Sequence, residues 1–402
     1  MIRALIALLV LPTITNAVEV TGLIQGNWVN GDDLTSYQNH GTGVTRYDDN
    51  GFNLGQAFIN VKQDIGKEFS FHSIINYYQD GEQNLGFTQL ALTYKPLTSS
   101  KTKFRARAGF FYPEISLENV DEGWLSPYTY TNSAINSWIG EELRTPGIEA
   151  SLISPGRARG SAWSWKLHAA LYKANDPFGS LLAWRGWALH DRQSLNNDRV
   201  NIAFYPTVIS PDVINGPAYV EPFHELDGNI GVYFGLHADY YQSTNFRYYF
   251  YDNRADATKV NDEGLYAWHT IFHSFSFQHK FNKNTRIISQ FMFGSTLMGE
   301  RFVAIDFRSN FVMLSHKVKK SRFSIRYDNF NVVDTGDIFP EDFNDSDGYA
   351  VTAAWRYDFN KNWQVGFEYH LNRNTALNRA TVNENISVDQ RQSMFVAQYR
   401  WR

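Results

Sequence analysis

The sequence contains no cysteine, which excludes a disulfide framework, a cysteine-ligated zinc centre and a thiol nucleophile. Past the N-terminus it also lacks any apolar run of the roughly 20 residues that a helix needs to cross a bilayer. Signatures of catalysis are missing too. No Gly-x-Ser-x-Gly elbow occurs, so the strained turn that exposes a hydrolase serine has no candidate. His224-Glu225 starts like a zinc-protease motif, but Gly228 stands where the second histidine ligand is required. Gly41-x-Gly43 lacks the third glycine of a dinucleotide-binding turn, because Arg46 occupies that place. The chain reads as non-enzymatic, with no cofactor and no metal centre.

The N-terminus is informative. Arg3 supplies a positive start, Ala4 to Leu11 form a short apolar run, and Thr15-Asn16-Ala17 offers the small residues a signal peptidase reads. About eight apolar residues cannot span a membrane, so residues 1–17 are expected to be a signal peptide and 18–402 the exported domain. Loss of Arg3 takes the formal charge from −4 to about −5, which disfavours nucleic acid as a partner.

Aromatics are abundant: 23 Tyr, 30 Phe and 11 Trp make up 16% of the chain. They fall in segments of roughly ten residues with a period of two, the spacing of a strand with one apolar and one polar face. Trp163, Trp165, Leu167, Ala169 and Leu171 alternate with Ser164, Lys166, His168, Ala170 and Tyr172. The same alternation runs through 230–241 and 363–372. Tight polar turns are expected near 64–67, 96–102, 154–161, 242–245, 281–285, 317–321 and 358–362. Longer links lie between them, at 30–50, 80–84, 113–141, 174–225, 252–264, 299–302, 331–347 and 374–385. A soluble sandwich has no reason to alternate short and long links, whereas a membrane barrel has short turns on one side and long loops on the other. About seven turns and eight loops imply an all-β, transmembrane antiparallel barrel of about sixteen strands. Aromatics of the apolar phase, such as Phe69, Tyr94, Trp163, Tyr240, Phe277 and Trp363, sit beside the short turns, as an interfacial girdle requires.

The final segment, Phe395-Val-Ala397-Gln-Tyr399-Arg-Trp401-Arg402, resembles the C-terminal strand by which outer-membrane barrels are recognised for assembly, with one extra residue after the closing aromatic. Over 18–402 the pattern is similar to that of the sixteen-stranded trimeric porins of Gram-negative outer membranes. The resemblance implies short periplasmic turns, long extracellular loops, a homotrimer, and lipid or lipopolysaccharide around the wall. It implies passive diffusion of small hydrophilic solutes or ions. It further implies that the third long link, 113–141, folds into the channel. That link carries Glu114, Glu118, Asp121, Glu122 and Glu141, of which the first four would form an acidic constriction, and Trp124, Tyr128, Tyr130 and Trp138, which would pack it against the wall.

Charge on the lipid face would cost about 2–4 kcal/mol per residue near the midplane, so the polar phase of each strand is assigned to the lumen. The basic positions are Arg105, Arg107, Lys166, Arg247, Arg286, Arg308, Arg322, Arg326 and Arg356, against acids such as Glu149, Asp306, Asp328 and Glu368. A basic wall facing an acidic loop sets up a field across the pore and a mild preference for anions; Arg326 with Asp328, and Asp306 with Arg308, could instead pair locally. Tyr172, Tyr233, Tyr241, Tyr249 and Tyr251 share the lumen phase and would suit stacking of sugars. Some outer-membrane barrels are hydrolases, and His269 and His273 lie on one strand without a visible partner set. The acidic segment 341–348 suits calcium in residue type but misses the EF-hand register. Two functional classes stand: a porin, and a surface receptor, adhesin or carbohydrate channel that works through its loops.

Overall fold

The computed structural model describes residues 18–32, 34–336 and 343–401. The expected signal peptide, Glu341 and Asp342 of the acidic segment considered for calcium, and Arg402 lie outside them. The apolar phase read from the sequence forms sixteen antiparallel strands in one closed barrel, each paired with its neighbour in sequence and the first with the last. They are β1 Glu19–Gly31, β2 Gly51–Ile65, β3 Phe69–Tyr77, β4 Leu85–Tyr94, β5 Lys103–Phe111, β6 Thr145–Ser154, β7 Trp163–Tyr172 and β8 Gly231–Tyr240. The second half comprises β9 Thr244–Asp252, β10 Trp268–Lys280, β11 Thr285–Met298, β12 Val303–Val318, β13 Ser321–Asp334, β14 Ser346–Asp358, β15 Trp363–Ala376 and β16 Ser387–Trp401. Closure runs from Gly22 opposite Trp401 to Gly31 opposite Gln392. Every strand therefore has two partners, and no row of backbone N–H and C=O groups faces hydrocarbon.

Seven connections of two to eight residues are turns at one end, and eight loops, L1 (residues 32–50) to L8, of four to 58 residues stand at the other. The wall is uneven in height. Strands β3 to β9 have nine or ten residues, close to the 9–11 that cross a bilayer, while β10 to β16 have 13–16. Cross-strand aromatic pairs mark the turn end: Phe69 with Tyr94 at 4.8 Å, Trp163 with Tyr240 at 5.1 Å, Phe246 with Phe277 at 5.1 Å and Trp363 with Tyr399 at 4.9 Å between ring centres. Outward Leu167, Leu171, Phe234, Leu314, Ile325 and Phe395 are exposed to the surroundings, an apolar belt that only lipid or another barrel wall covers favourably.

The assignment of every polar phase to the lumen fails in the upper part of the long strands. On β12 the outward residues are apolar near the turn end, Val312 and Leu314, and polar near the loop end, Asp306, Arg308 and Asn310. The inward residues invert in step: Ser315 and Lys317 below, Phe307 and Phe311 above. Arg308 therefore lies on the outer wall, a correction to its expected place in the pore. The physical reason is that these strands rise above the lipid, where the outer face meets polar surroundings and the inner face packs against loops. Tyr241 is likewise displaced: it sits in the turn after β8 at positive φ and is 66% exposed. His269 and His273 also point outward, towards Asp252 and Tyr248 of the neighbouring strand.

Replacing outward Leu314 by Arg is expected to cost about 2–4 kcal/mol of folding free energy in bilayers. The same change at Asn310, in the polar band, is expected to cost under about 1 kcal/mol. Denaturant-driven folding into vesicles measures both.

Candidate functional site

The lumen is filled from the loop end by L1, L3 and L4. L3, residues 112–144, enters the barrel and carries the helix Ala134–Glu142, capped by Ser133 Oγ on the Asn136 N–H and buried along its whole length. L4, residues 173–230, brings the short helix Ser180–Arg185 beside it. Their apolar residues meet the inverted inner wall. Trp138 stacks on Phe178 at 4.5 Å and lies edge-on to Phe307 at 5.1 Å, and Trp184 lies edge-on to Trp268 at 5.5 Å.

The expected basic wall and acidic loop are both present on the inside, but they touch. Glu114 binds Arg105 at 2.6 Å and also Lys166. Glu118 binds Arg326 at 2.8 Å. Asp121 binds Arg400 at 2.6 Å, and Glu122 accepts from Thr21 and Asn60 with Lys62 at 3.7 Å. Arg107 is held by Glu149 at 2.9 Å. Arg247 donates to the carbonyls of Glu114 and Ser116, and Arg356 to those of Ser126 and Thr129. Arg286 reaches the Tyr128 hydroxyl, and Arg322 the Ser315 hydroxyl. The wall cations thus act chiefly as tethers for L3, and the imagined field across an open gap is replaced by direct ion pairs.

Arg326 is the centre of this docking. Its side chain is fully buried, so it does not line an open pore as expected from its phase. Its guanidinium binds Glu118, Asp328 at 2.7 Å, and the carbonyls of Thr131 and Asn132 at 2.6 and 2.8 Å. From the next strands, Glu368 accepts the Tyr130 and Thr131 N–H groups at 2.6 and 2.8 Å. Gly366 lies directly under the Tyr130 side chain, where a Cβ would collide with it. That glycine sets how closely the loop approaches the wall.

L3 and L4 are joined by two glutamates that the sequence pattern did not single out as partners. Glu141 pairs with Arg185 at 2.5 Å. Burial opposes its charge, but Arg185 and His190 together outweigh burial and hold the carboxyl well below its usual range. Glu142 accepts from the Trp138 indole, the Gly179 and Leu181 N–H groups and the Ser180 hydroxyl. Among the described residues it forms no ion pair within 4.0 Å, and burial pushes its pKa from the ordinary 4.5 up to about 7. L1 is tied in through Arg46, which binds Asp80 and Asp191 at 2.7 Å each.

The result is a lumen packed with its own loops. Every strand carries at least one inward side chain no more than 6% exposed, from Asn27 on β1 through Glu149 on β6, Phe272 on β10 and Asp328 on β13 to Gln392 on β16. Tyr172, Tyr233, Tyr249 and Tyr251 are buried beneath the loops; Tyr233 donates to Glu149 and Tyr251 to Asn175. They support loop docking and offer no free stacking track. At the turn end the lumen opens into a cavity of about 420 Å³, lined by Asp121, Lys317, Arg322, Arg356, Asp358, Lys361 and Arg400 among others.

Among the described residues, two groups have donors close enough to share a cation. Glu114, His168 and His237 place ligand atoms within 4.8 Å of one another, as do Asp176, Glu225 and Asp227. In the first, Arg105 and Lys166 already neutralise the carboxylate. In the second, the Leu226 and Asp227 N–H groups occupy Asp176.

No protein-family model matches the chain, and no curated protein matches it in sequence. Its fold is nonetheless shared with solved structures. It is similar to the trimer form of in-vitro folded OmpT, an outer membrane protein of Vibrio cholerae, at 12% identity and a TM-score of 0.55, covering 96% of this chain and 99% of that one. It is similar to the outer membrane channel DcaP of Acinetobacter baumannii at 10% identity and 0.56, covering 96% and 97%. The anion-selective porin from Comamonas acidovorans aligns at 10% identity and 0.52, covering 96% and 100%. The chain therefore has the sixteen-stranded fold of outer-membrane porins.

Two outcomes follow from the docking. Arg326→Met leaves Glu118 and Asp328 buried without their cation and is expected to destabilise the barrel by about 3–5 kcal/mol in denaturant titrations. For Glu142, a pKa raised on folding means that its favourable contribution is complete below about pH 4.5 and is lost as pH rises through about 7. Hydrogen exchange of residues 134–143 should therefore quicken between pH 4.5 and 7 beyond the intrinsic rate, and Glu142→Gln should abolish that excess.

Proposed function

We propose that the protein is a non-enzymatic outer-membrane channel for passive diffusion of small hydrophilic solutes, with L3 and L4 as the element that limits passage. The observation that carries this reading is a closed barrel with an apolar outer belt and two long loops docked inside it through ion pairs. Ion pairs and hydrogen bonds to a loop are reversible contacts, so the occluded arrangement is the closed state of a channel whose loops give way. The outward apolar belt suits lipid of a Gram-negative outer membrane. A homotrimer accords with the trimer form in which the Vibrio OmpT was solved. Export through the segment 1–17 completes this account.

A mild preference for anions is supported by the cations left at the turn end of the lumen, where Lys317, Arg322, Arg356, Lys361 and Arg400 face only Asp121 and Asp358. The second reading, a surface receptor or carbohydrate-binding barrel, is favoured by the same occlusion. A barrel that never opens serves through its loops alone.

Planar-bilayer recordings separate them. The wild-type protein is expected to conduct in small or infrequent steps, and Arg326→Ala, which unties L3, to raise mean conductance at least threefold. A salt gradient should give a reversal potential of anion-selective sign. Silence in both proteins, with folding confirmed by heat-dependent gel migration, would favour the receptor reading, and a cation-selective sign would end the anion preference.

A further inference from the structure

The inner wall at the turn end holds more positive charge than the loops neutralise. Lys317, Arg322 and Arg356 are inward residues on three successive strands. Lys317 lies directly opposite Arg322, and Arg322 directly opposite Arg356. Like charges facing each other across a sheet have Cβ atoms about 4.5–5.5 Å apart and destabilise it. Of the three, Lys317 reaches a carboxylate, Asp358 at 3.2 Å. Among the described residues neither Arg322 nor Arg356 has a carboxylate oxygen within 4.0 Å.

The two arginines differ in what else they do. Arg356 is committed to L3 through the carbonyls of Ser126 and Thr129 at 2.6 and 3.0 Å. Arg322 uses one N–H on Ser315 at 3.0 Å and lies over the Tyr128 ring at 5.3 Å. Arg286 lies against the same ring at 5.7 Å, and its buried Nε–H has no hydrogen-bond partner among the described residues. In front of this row is the 420 Å³ cavity, with five cations and two carboxylates on its lining. That volume falls in the range of small-molecule sites, about 300–1,000 Å³. A partly buried guanidinium fork without a carboxylate matches a bidentate oxyanion.

We propose that this vestibule is a binding site for a small, multiply charged anion bearing phosphoryl or carboxylate groups, held by Arg322 and Lys317 with Lys361 adding charge. The site gives the anion preference a location and rests on that reading. It lies on the turn side of the loops that occlude the barrel, so the anion reaches it without passing L3.

Calorimetric titration of the full-length protein in detergent at low ionic strength, with pyrophosphate and with citrate, tests the assignment. Saturable binding of at least one anion is expected, weakened at least tenfold in Arg322→Gln and several-fold in Lys317→Gln. Arg373→Gln, which disturbs a rim pair with Asp389 far from the cavity, should bind as the wild type does. A preference for pyrophosphate assigns the site to phosphoryl groups, and a preference for citrate to carboxylates. Lys317 is half exposed, so Lys317→Gln remains informative if Arg322→Gln folds poorly. Absence of saturable binding to the wild type, or equal binding by the two variants, would overturn the proposal. Because no membrane is involved, that failure leaves the conductance reading intact, and a silent bilayer leaves the binding result intact.

Discussion

Hydrocarbon offers no partner to a backbone N–H or C=O, and this constraint governs the whole molecule. A sheet can stand in lipid only if its first strand finds its last, which here happens along ten opposed residues of β1 and β16. Closure fixes the alternation, because each strand must show lipid one face and the interior the other. It also fixes where freedom remains. Turns at one end need only reverse the chain, and the loops at the other end can grow long enough to return inside.

The interior is then shaped by what returns. L3 and L4 bring tryptophans and phenylalanines into the barrel, and the wall answers with Phe272, Phe307, Phe311 and Phe330 pointing inward. Buried charge is tolerated there where it is paired and hydrogen-bonded, as Arg326 is between Glu118 and Asp328. Such pairs fix position more than they add stability, which is what an element needs if it must hold one place and still let go. Positive charge that exceeds the carboxylates beside it collects at the turn end of the lumen, around Lys317, Arg322 and Arg356.

The sequence displayed the barrel clearly because its strongest signal, a period of two punctuated by alternating short and long links, is the direct imprint of closure and sidedness. The acids of L3 were visible as a group, since they crowd into one link. Their partners were not, because pairing across the lumen joins residues as distant as Glu118 and Arg326. Arg308 was misplaced because polarity marks the lumen only at the depth of the lipid. The switch from Val312 and Leu314 to Phe307 and Phe311 was readable as a change of phase within one strand, and it marks the height at which the wall leaves the membrane. Glu142 carried no such mark; its role depends on L4 arriving beside the L3 helix.

With no native cysteine to interfere, single cysteines placed along 303–318 and labelled with a fluorophore offer the most direct check of this arrangement. Quenching by brominated lipid should affect positions 312 and 314, aqueous quenchers should reach 306 and 308, and neither should reach 307 or 311. Lipid quenching at 307 or 311, or quenching without a period of two, would contradict a closed barrel whose upper inner wall is covered by its own loops.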